Sequence, residues 1–184
     1  VDTTGSTAIL AYGLPMLRTA ERYGYVIGEL RYAQTDIDSP LVNSDESAVV
    51  GSLIWIDGQI TPNGNALEYA VSLSAGEQSD DPESANSFHY ARVGLGWSSS
   101  AHINQRKINI DLQLLAQISN DVLPGSEKFA MGGHNINRGY EYGELAGDSG
   151  AFISGEISTA DAIGLGRDFA LVPFAFAEMG WVSS

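Results

Sequence analysis

The sequence predicts an all-β protein, an antiparallel meander of about eight long strands. Three observations support this fold class. Apolar and polar residues alternate with period two through most of the chain, no stretch has the apolar spacing of a helix, and turn-forming segments separate the alternating stretches. These stretches span 6–15 residues, and most exceed the about 5–6 residues of an ordinary strand. In chain order they are residues 7–12, 23–36, 48–56, 67–76, 91–98, 107–119, 151–158 and 168–182.

Breaker and turn signals separate the strands of the first half. G-L-P follows residues 7–12, and the polar stretch 36–47 separates the second and third strands. Asp57-Gly58 predicts a turn after the third strand, and the acidic stretch 77–87 separates the fourth from the fifth. We therefore expect these segments to lie outside the sheet.

The alternation is clearest in residues 67–76, where one face is apolar and the other is small and polar. The same pattern returns in the fifth, sixth and seventh stretches. In the last stretch, Glu178 shares a face with Phe174 and Phe176, opposite the face of Met179. The pattern thus predicts a sheet with one apolar and one more polar face.

Three features favour a membrane-spanning barrel over a soluble sandwich, which would also alternate. The strands are long, and their polar face is rich in glycine and serine as well as charge. Aromatic residues such as Tyr23, Tyr32, Trp97 and Trp181 lie near strand ends. The alternative is a soluble, closed eight-stranded β-barrel that binds a ligand or a protein, with apolar side chains inside and charge outside.

Composition limits the partners. The chain has 23 acidic residues against 9 Lys and Arg, a formal charge of -14, so we expect no nucleic-acid partner. It has no Cys, which excludes disulfides and thiolate metal sites. No apolar run reaches the about 18 residues of a membrane-spanning helix. The first residues, V-D-T-T-G-S, lack the pattern of a signal peptide.

Catalytic and metal-binding patterns are weak. His89, His102 and His134 lie in separate predicted elements without metal-ligand spacing, so we predict no metal site and no cofactor. The run G-D-S-G at residues 147–150 is like that around the nucleophile of chymotrypsin-like proteases. Four residues without a placed histidine and aspartate do not make such a site. We therefore expect no enzyme activity.

One stretch, Leu123 to Glu156, interrupts the strand pattern and is dense in glycine. Glycine is favoured where the main chain needs positive φ or close approach to another surface, which indicates a tightly folded loop. The simpler interpretation is a long flexible connection.

Three runs together carry a resemblance to a known family: F-A-M-G-G-H-N-I-N-R-G-Y, G-D-S-G-A-F-I-S-G-E and L-V-P-F-A-F-A-E-M-G. They resemble the barrel of two-partner secretion transporters, the TpsB or haemolysin activator proteins, which belong to the BamA-type outer-membrane superfamily. The resemblance is specific over residues 123–182 and generic before them. It implies that residues 123–147 fold back into the lumen of an outer-membrane β-barrel.

The resemblance also implies which residues hold this loop. In the family, the arginine of a G-G-x-x-x-V-R-G-Y loop pairs with the acidic residue of an F-x-D motif on the barrel wall. The matching loop residues are Gly132, Gly133, Arg138, Gly139 and Tyr140, the matching wall residues are Phe176 and Glu178, and the supporting motif contributes Asp148, Gly150 and Glu156.

Two positions depart from the family pattern. Asn137 stands where the family usually has valine, and Glu178 stands where it usually has aspartate. Glutamate keeps the charge, and its extra methylene still allows it to reach a guanidinium, so we expect the pair with an altered geometry. Without the resemblance, Arg138 would be interpreted as a solvated loop arginine and Glu178 as an ordinary lumen charge.

The function implied by the resemblance is protein secretion. A pore in contact with outer-membrane lipid would pass a partner exoprotein, of the haemolysin or adhesin type, from the periplasm to the cell surface without nucleotide hydrolysis. Family members carry periplasmic POTRA domains and a barrel of sixteen strands. Residues 1–184 contain neither, so we expect a partial barrel from a longer chain. A BamA-like insertase and the soluble barrel are the alternatives.

Overall fold

Eight long antiparallel strands form one sheet in the computed structural model, which describes residues 2–39, 42–81, 84–103, 106–133, 138, 141, 144–160, 162–164 and 170–184. The strands are β1 (Asp2–Arg18), β2 (Arg22–Ser39), β3 (Val42–Ile60), β4 (Ala66–Asp81), β5 (Ser84–Ile103), β6 (Arg106–Ser119), β7 (Phe129–Met131), β8 (Leu145–Gly147), β9 (Ser149–Thr159), β10 (Ile163–Gly164), β11 (Ala170–Leu171) and β12 (Phe174–Ser183). The long sheet has the order β1-β2-β3-β4-β5-β6-β9-β12, and β7-β8 and β10-β11 are two-stranded pairs. The all-β prediction of about eight long antiparallel strands is confirmed.

Several predicted loops are wrong, because they belong to strands. Thr35 pairs with Glu46 across β2 and β3, and Glu77 pairs with Ser87 across β4 and β5. Main-chain pairing needs no apolar side chain, so polar segments continue the ladder beyond the apolar band. Asp57-Gly58 likewise lies within β3 and not in a turn.

The predicted breaker at residues 13–15 also lies inside a strand. Pro15 pairs with Tyr25, and the register shifts between Pro15 and Leu17. Proline is tolerated here because β1 is the first strand in the sheet order and the irregularity lies beside Pro15.

The last predicted strand is divided in two. Residues 170–171 form β11 and pair with β10, whereas β12 begins at Phe174 and pairs with β9. Pro173, which has no N–H to give to a ladder, lies at the break, and its carbonyl accepts a hydrogen bond from the Thr159 N–H at 3.1 Å.

The two faces of the long sheet differ in chemistry. We call the face that carries Arg31, Val50, Ser74, Tyr90 and Gln117 the inner face, and the face that carries Leu30, Leu53, Leu73, Leu95 and Met179 the outer face. Large apolar side chains are exposed on the outer face: Leu73 is 62% exposed and Met179 is 72% exposed. A soluble barrel would bury these residues, so this arrangement opposes the soluble alternative.

Burial is concentrated on the inner face, where Leu123, Phe129, Met131 and Leu145 pack on the sheet. One cluster contains Ala48, Val50, Phe88, Tyr90 and Leu123. A second contains Phe129, Met131 and Phe152, with partly buried Leu115, Leu145 and Val182 packed against it. No helix in the part of the chain that the structure describes is long and apolar enough to cross a membrane.

Arginine substitutions at two adjacent positions of β5 test the assignment of the faces. Leu95 points outward, whereas Gly96 points inward, and a Cβ atom at Gly96 would have no other atom within 4 Å. In the full-length protein in lipid vesicles, we expect Leu95→Arg to cost about 2–4 kcal/mol of folding free energy and Gly96→Arg to cost less than about 1. Urea titration of the folded form measures both. Equal costs, or the reverse order, would contradict the assignment.

Candidate functional site

The candidate site is the long loop, residues 120–148 between β6 and β9, whose described residues lie over the inner face. Its two ends are joined by Ser119 and Ser149. The Ser119 N–H donates to Ser149 Oγ at 3.0 Å, and Ser149 Oγ donates to the Ser119 carbonyl at 3.1 Å. The loop therefore begins and ends at one fixed point on the long sheet, whose strands we call the wall.

Asp148 joins the first arm of the long loop, residues 120–131, to its last arm, residues 144–148. Its Oδ1 accepts a hydrogen bond from the Leu123 N–H at 2.9 Å and lies 3.7 Å from Lys128 Nζ. The Asp148 carbonyl accepts a hydrogen bond from Gln117 Nε2 at 3.0 Å. Because Asp148 is 7% exposed, these partners compensate the cost of burying its charge.

Two wall glycines make room for the hairpin β7-β8. A methyl group at Gly150 would overlap the Phe129 ring and lie 2.9 Å from the Trp181 carbonyl oxygen, and one at Gly180 would overlap Met131 Sδ. Glycine at these positions lets the side chains of β7 lie directly on the strands of the wall.

Gly132 and Gly133 turn the chain as it leaves β7. Their φ angles are 121° and 96°, a region that other L-residues rarely adopt. The main-chain conformation therefore requires glycine at both positions of the G-G pair that matched the family pattern.

Arg138 lies between two carboxylates of the wall. Its Nη2 donates to Glu156 Oε2 at 2.8 Å, and its main-chain N–H donates to Glu178 Oε2 at 2.7 Å. Its Nε lies 3.0 Å from Glu178 Oε1 without the alignment of a hydrogen bond, so that contact is Coulombic. The guanidinium carbon also lies 4.3 Å from the centroid of the Phe176 ring, a cation–π contact.

The wall residues reach Arg138 because of strand register. Phe176 of β12 is directly opposite Glu156 of β9, and Glu178 is opposite Ser154. All four point to the inner face. The side chain of Glu178 is 5% exposed and that of Glu156 is 31% exposed, so Glu178 is the more deeply covered carboxylate.

The electrostatics keep Arg138 charged. The hydrogen bond with Glu156 is the largest cause of its raised pKa, and the attraction of both carboxylates acts in the same direction against the opposing effect of desolvation. One cation faces two carboxylates here, so the contact stabilises by charge pairing.

Most residues named from the sequence lie in this region. Arg138 contacts Glu156, Phe176 and Glu178. Gly132 and Gly133 form the turn after β7. Asp148 binds the first arm of the loop, and Gly150 gives space to Phe129. Gly139 and Tyr140 lie outside the described residues. The direct contact of Glu156 with Arg138 was not foreseen, since Glu156 was named only for its supporting motif.

The sequence interpretation missed Glu127, a residue of the long loop that is fully buried and contacts Arg31 of β2. The only available signal was the placement of Arg31 and Arg92 on the polar faces of their strands. No local motif surrounds Glu127.

The G-D-S-G run has a structural explanation. The Ser149 hydroxyl is hydrogen-bonded to the main chain of Ser119, and among the described residues no hydrogen bond joins it to a histidine side chain. Within the same part of the chain, no group of three or more His, Asp or Glu side chains could hold a metal ion.

Comparison with known proteins gives a consistent family match. The model of the haemolysin secretion/activation protein family ShlB/FhaC/HecB matches residues 55–184. No curated protein sequence matches the chain.

A solved structure shares the fold. CdiB from Acinetobacter baumannii superposes with a TM-score of 0.76 at 18% sequence identity, over 99% of this chain and 32% of the CdiB chain. The chain thus spans about a third of the length of this structure.

Substitution of Gly150 tests the seat of the long loop. Gly150→Ala should push Phe129 and the Trp181 carbonyl apart and destabilise the folded form by about 1–3 kcal/mol. Gly96→Ala is the matched control, because that glycine is also on the inner face and has open space around it. Urea titration of the two full-length variants should show a lower unfolding midpoint only for Gly150→Ala. Equal midpoints would refute the close contact of Phe129 with Gly150.

Proposed function

This chain belongs to the haemolysin secretion/activation protein family ShlB/FhaC/HecB, and we propose that it forms part of an outer-membrane pore that passes a partner exoprotein to the cell surface. The exoprotein would be of the haemolysin or adhesin type. Members of the family are outer-membrane transporters of Gram-negative bacteria. Transport through such a pore makes or breaks no covalent bond, so no catalytic residue is assigned.

One observation carries the proposal: the sheet exposes large apolar side chains on its outer face and holds a polar loop on its inner face. Exposed Leu10, Leu53, Leu73 and Met179 suit contact with lipid chains. The inner face offers Ser72, Ser98, Asn109 and Gln113, which suit contact with water and a passing polypeptide.

The outer-membrane barrel requires more strands than this sheet contains. Within the described residues, β1 and β12 are the two ends of the sheet and do not pair with each other. Unpaired main-chain groups are costly in lipid, so we propose that these edges pair with further strands of the whole protein to close a barrel. The inner face would then line its lumen.

In that barrel the long loop would occupy the lumen, with Arg138 as its contact to the wall strands β9 and β12. Breaking a covered ion pair by removing one partner costs about 3–5 kcal/mol, because the other charge is left without compensation. Arg138 therefore fixes the position of the loop within the pore, and the position of the loop sets the free cross-section through which an exoprotein passes.

The alternatives receive less support. The matching family model describes secretion and activation, not membrane-protein insertion. The soluble barrel requires a covered apolar face, whereas the outer face is exposed.

A charge exchange tests the role of Arg138. In the full-length transporter co-expressed with a candidate haemolysin-type exoprotein, Arg138→Glu should reduce secretion at least about tenfold, since three carboxylates then meet on the wall. Adding Glu178→Arg should restore part of the secretion, because a guanidinium again lies between two acids. Rescue stays partial, since an arginine at position 178 cannot accept a hydrogen bond from the main-chain N–H of residue 138 as Glu178 does.

The control is Glu178→Asp, which keeps the charge and matches the usual residue of the resembled family, and should retain most secretion. Secretion is measured as exoprotein in the medium relative to cell-associated exoprotein. If the double variant secretes no more than Arg138→Glu alone, the pairing has no role in transport.

A further inference from the structure

A second ion-pair group lies under the first arm of the long loop, away from Arg138. Its centre is Glu127, in the 3-10 turn Gly125–Glu127, with a side chain that is 0% exposed. Arg31 Nη2 of β2 lies 2.8 Å from its Oε2, and the Tyr90 hydroxyl of β5 donates to the same oxygen at 2.6 Å. Arg92 Nη2 is 4.0 Å from Oε2.

The main chain of Glu127 is held by the same wall. Its carbonyl accepts hydrogen bonds from Arg92 Nη2 at 2.8 Å and from Gln117 Nε2 at 3.1 Å. Two residues earlier, the Gly125 N–H donates to Glu46 Oε1 of β3 at 3.0 Å. One turn of the loop thus contacts four strands, β2, β3, β5 and β6.

The polarity of this group is the reverse of that at Arg138. At Glu127 the loop supplies the anion and the wall supplies the cations, whereas at Arg138 the loop supplies the cation and the wall supplies the anions. The two groups contact different strands and share no partner among the described residues. Energetic effects at such separate groups are expected to add.

We propose that Glu127 is a second positioning residue of the long loop, which holds the first arm on β2, β5 and β6 independently of Arg138. The proposal rests on the proposed role of the loop within the pore. If the Arg138 contact is lost, the first arm therefore stays bound to the sheet. The first arm leaves the pore only when the Glu127 contact is lost as well.

Leu123 and Phe129 support this independence. Leu123 packs in the cluster with Val50 and Phe88, and Phe129 packs with Phe152. These contacts flank Glu127 on both sides along the chain. The Glu127 carboxylate is the fully buried charged group between them, and neutralising it leaves Arg31 with Glu29 at 4.0 Å as its remaining anion in the described part of the chain.

Trypsin cleavage after Lys128 tests the proposal without any secreted protein. The cleaved bond joins Lys128 to the buried Phe129, and Lys128 directly follows the buried Glu127. The folded full-length protein in detergent should therefore resist cleavage at this bond. Glu127→Gln should be cleaved at least about tenfold faster, because the buried pair with Arg31 is lost. Arg138→Ala should stay as resistant at Lys128 as the wild type, and so should the exposed control Glu141→Gln.

A charge exchange separates positioning from a general structural role. Glu127→Arg combined with Arg31→Glu should recover part of the protection that Glu127→Arg alone loses. The temperature at which the folded, SDS-resistant form disappears should change little in Glu127→Gln. Should Glu127→Gln fail to fold, Tyr90→Phe removes one hydrogen bond to Oε2 and should raise cleavage by a smaller factor.

Three results would overturn the proposal. The first is an unchanged rate of cleavage after Lys128 in both Glu127→Gln and Tyr90→Phe. The others are cleavage of Arg138→Ala as fast as that of Glu127→Gln, and no recovery of protection when Glu127→Arg is combined with Arg31→Glu. The test is separate from that of secretion. If protection from cleavage after Lys128 depends on Glu127 but the protein secretes no exoprotein, the proposed transport function is refuted while the Glu127 contact is supported.

Discussion

A buried carboxylate needs cations or hydrogen-bond donors around it, and two such carboxylates determine how the long loop lies on the sheet. Glu127 brings the first arm down onto Arg31 and Tyr90, and Glu178 receives the later part through Arg138. The charges lie on opposite partners in the two groups, so neither group can replace the other. The apolar side chains of the loop then fill the space that these contacts define.

The sheet is suited to this arrangement because period two separates its chemistry. Large apolar residues such as Leu53, Leu73 and Leu95 point outward, while the inner face carries Arg31, Arg92, Glu156 and Glu178 and the glycines that admit Phe129 and Met131. An inner face of large residues would leave no room for a loop of this size. The same small and polar residues would make a lumen that can bind water and a moving polypeptide. Packing of the loop and transport therefore both require small and polar residues on the inner face.

The sequence predicted the faces of the strands better than their lengths. Glu178 was assigned correctly to the face of Phe176 because alternation is local, whereas the ends of β2 to β5 were missed because main-chain pairing continues through polar residues such as Thr35 and Glu46. Arg138 and its wall residues were named only through the family resemblance, and their role in transport stays a prediction. Glu127 could not be found, since its partner Arg31 is 96 residues away along the chain and no spacing connects the two.

In the proposed pore, the inner face lines the path of an exoprotein and the outer face meets lipid. Photo-crosslinking at two adjacent positions of β6 tests both assignments. Gln113 faces inward and Leu112 faces outward, so a crosslinking residue is placed at each in the full-length transporter while an exoprotein is halted by a folded domain at its end. We expect crosslinks to the exoprotein from position 113 and to lipid from position 112. Crosslinks to the exoprotein from position 112, or from neither position, would show that the inner face does not line the path.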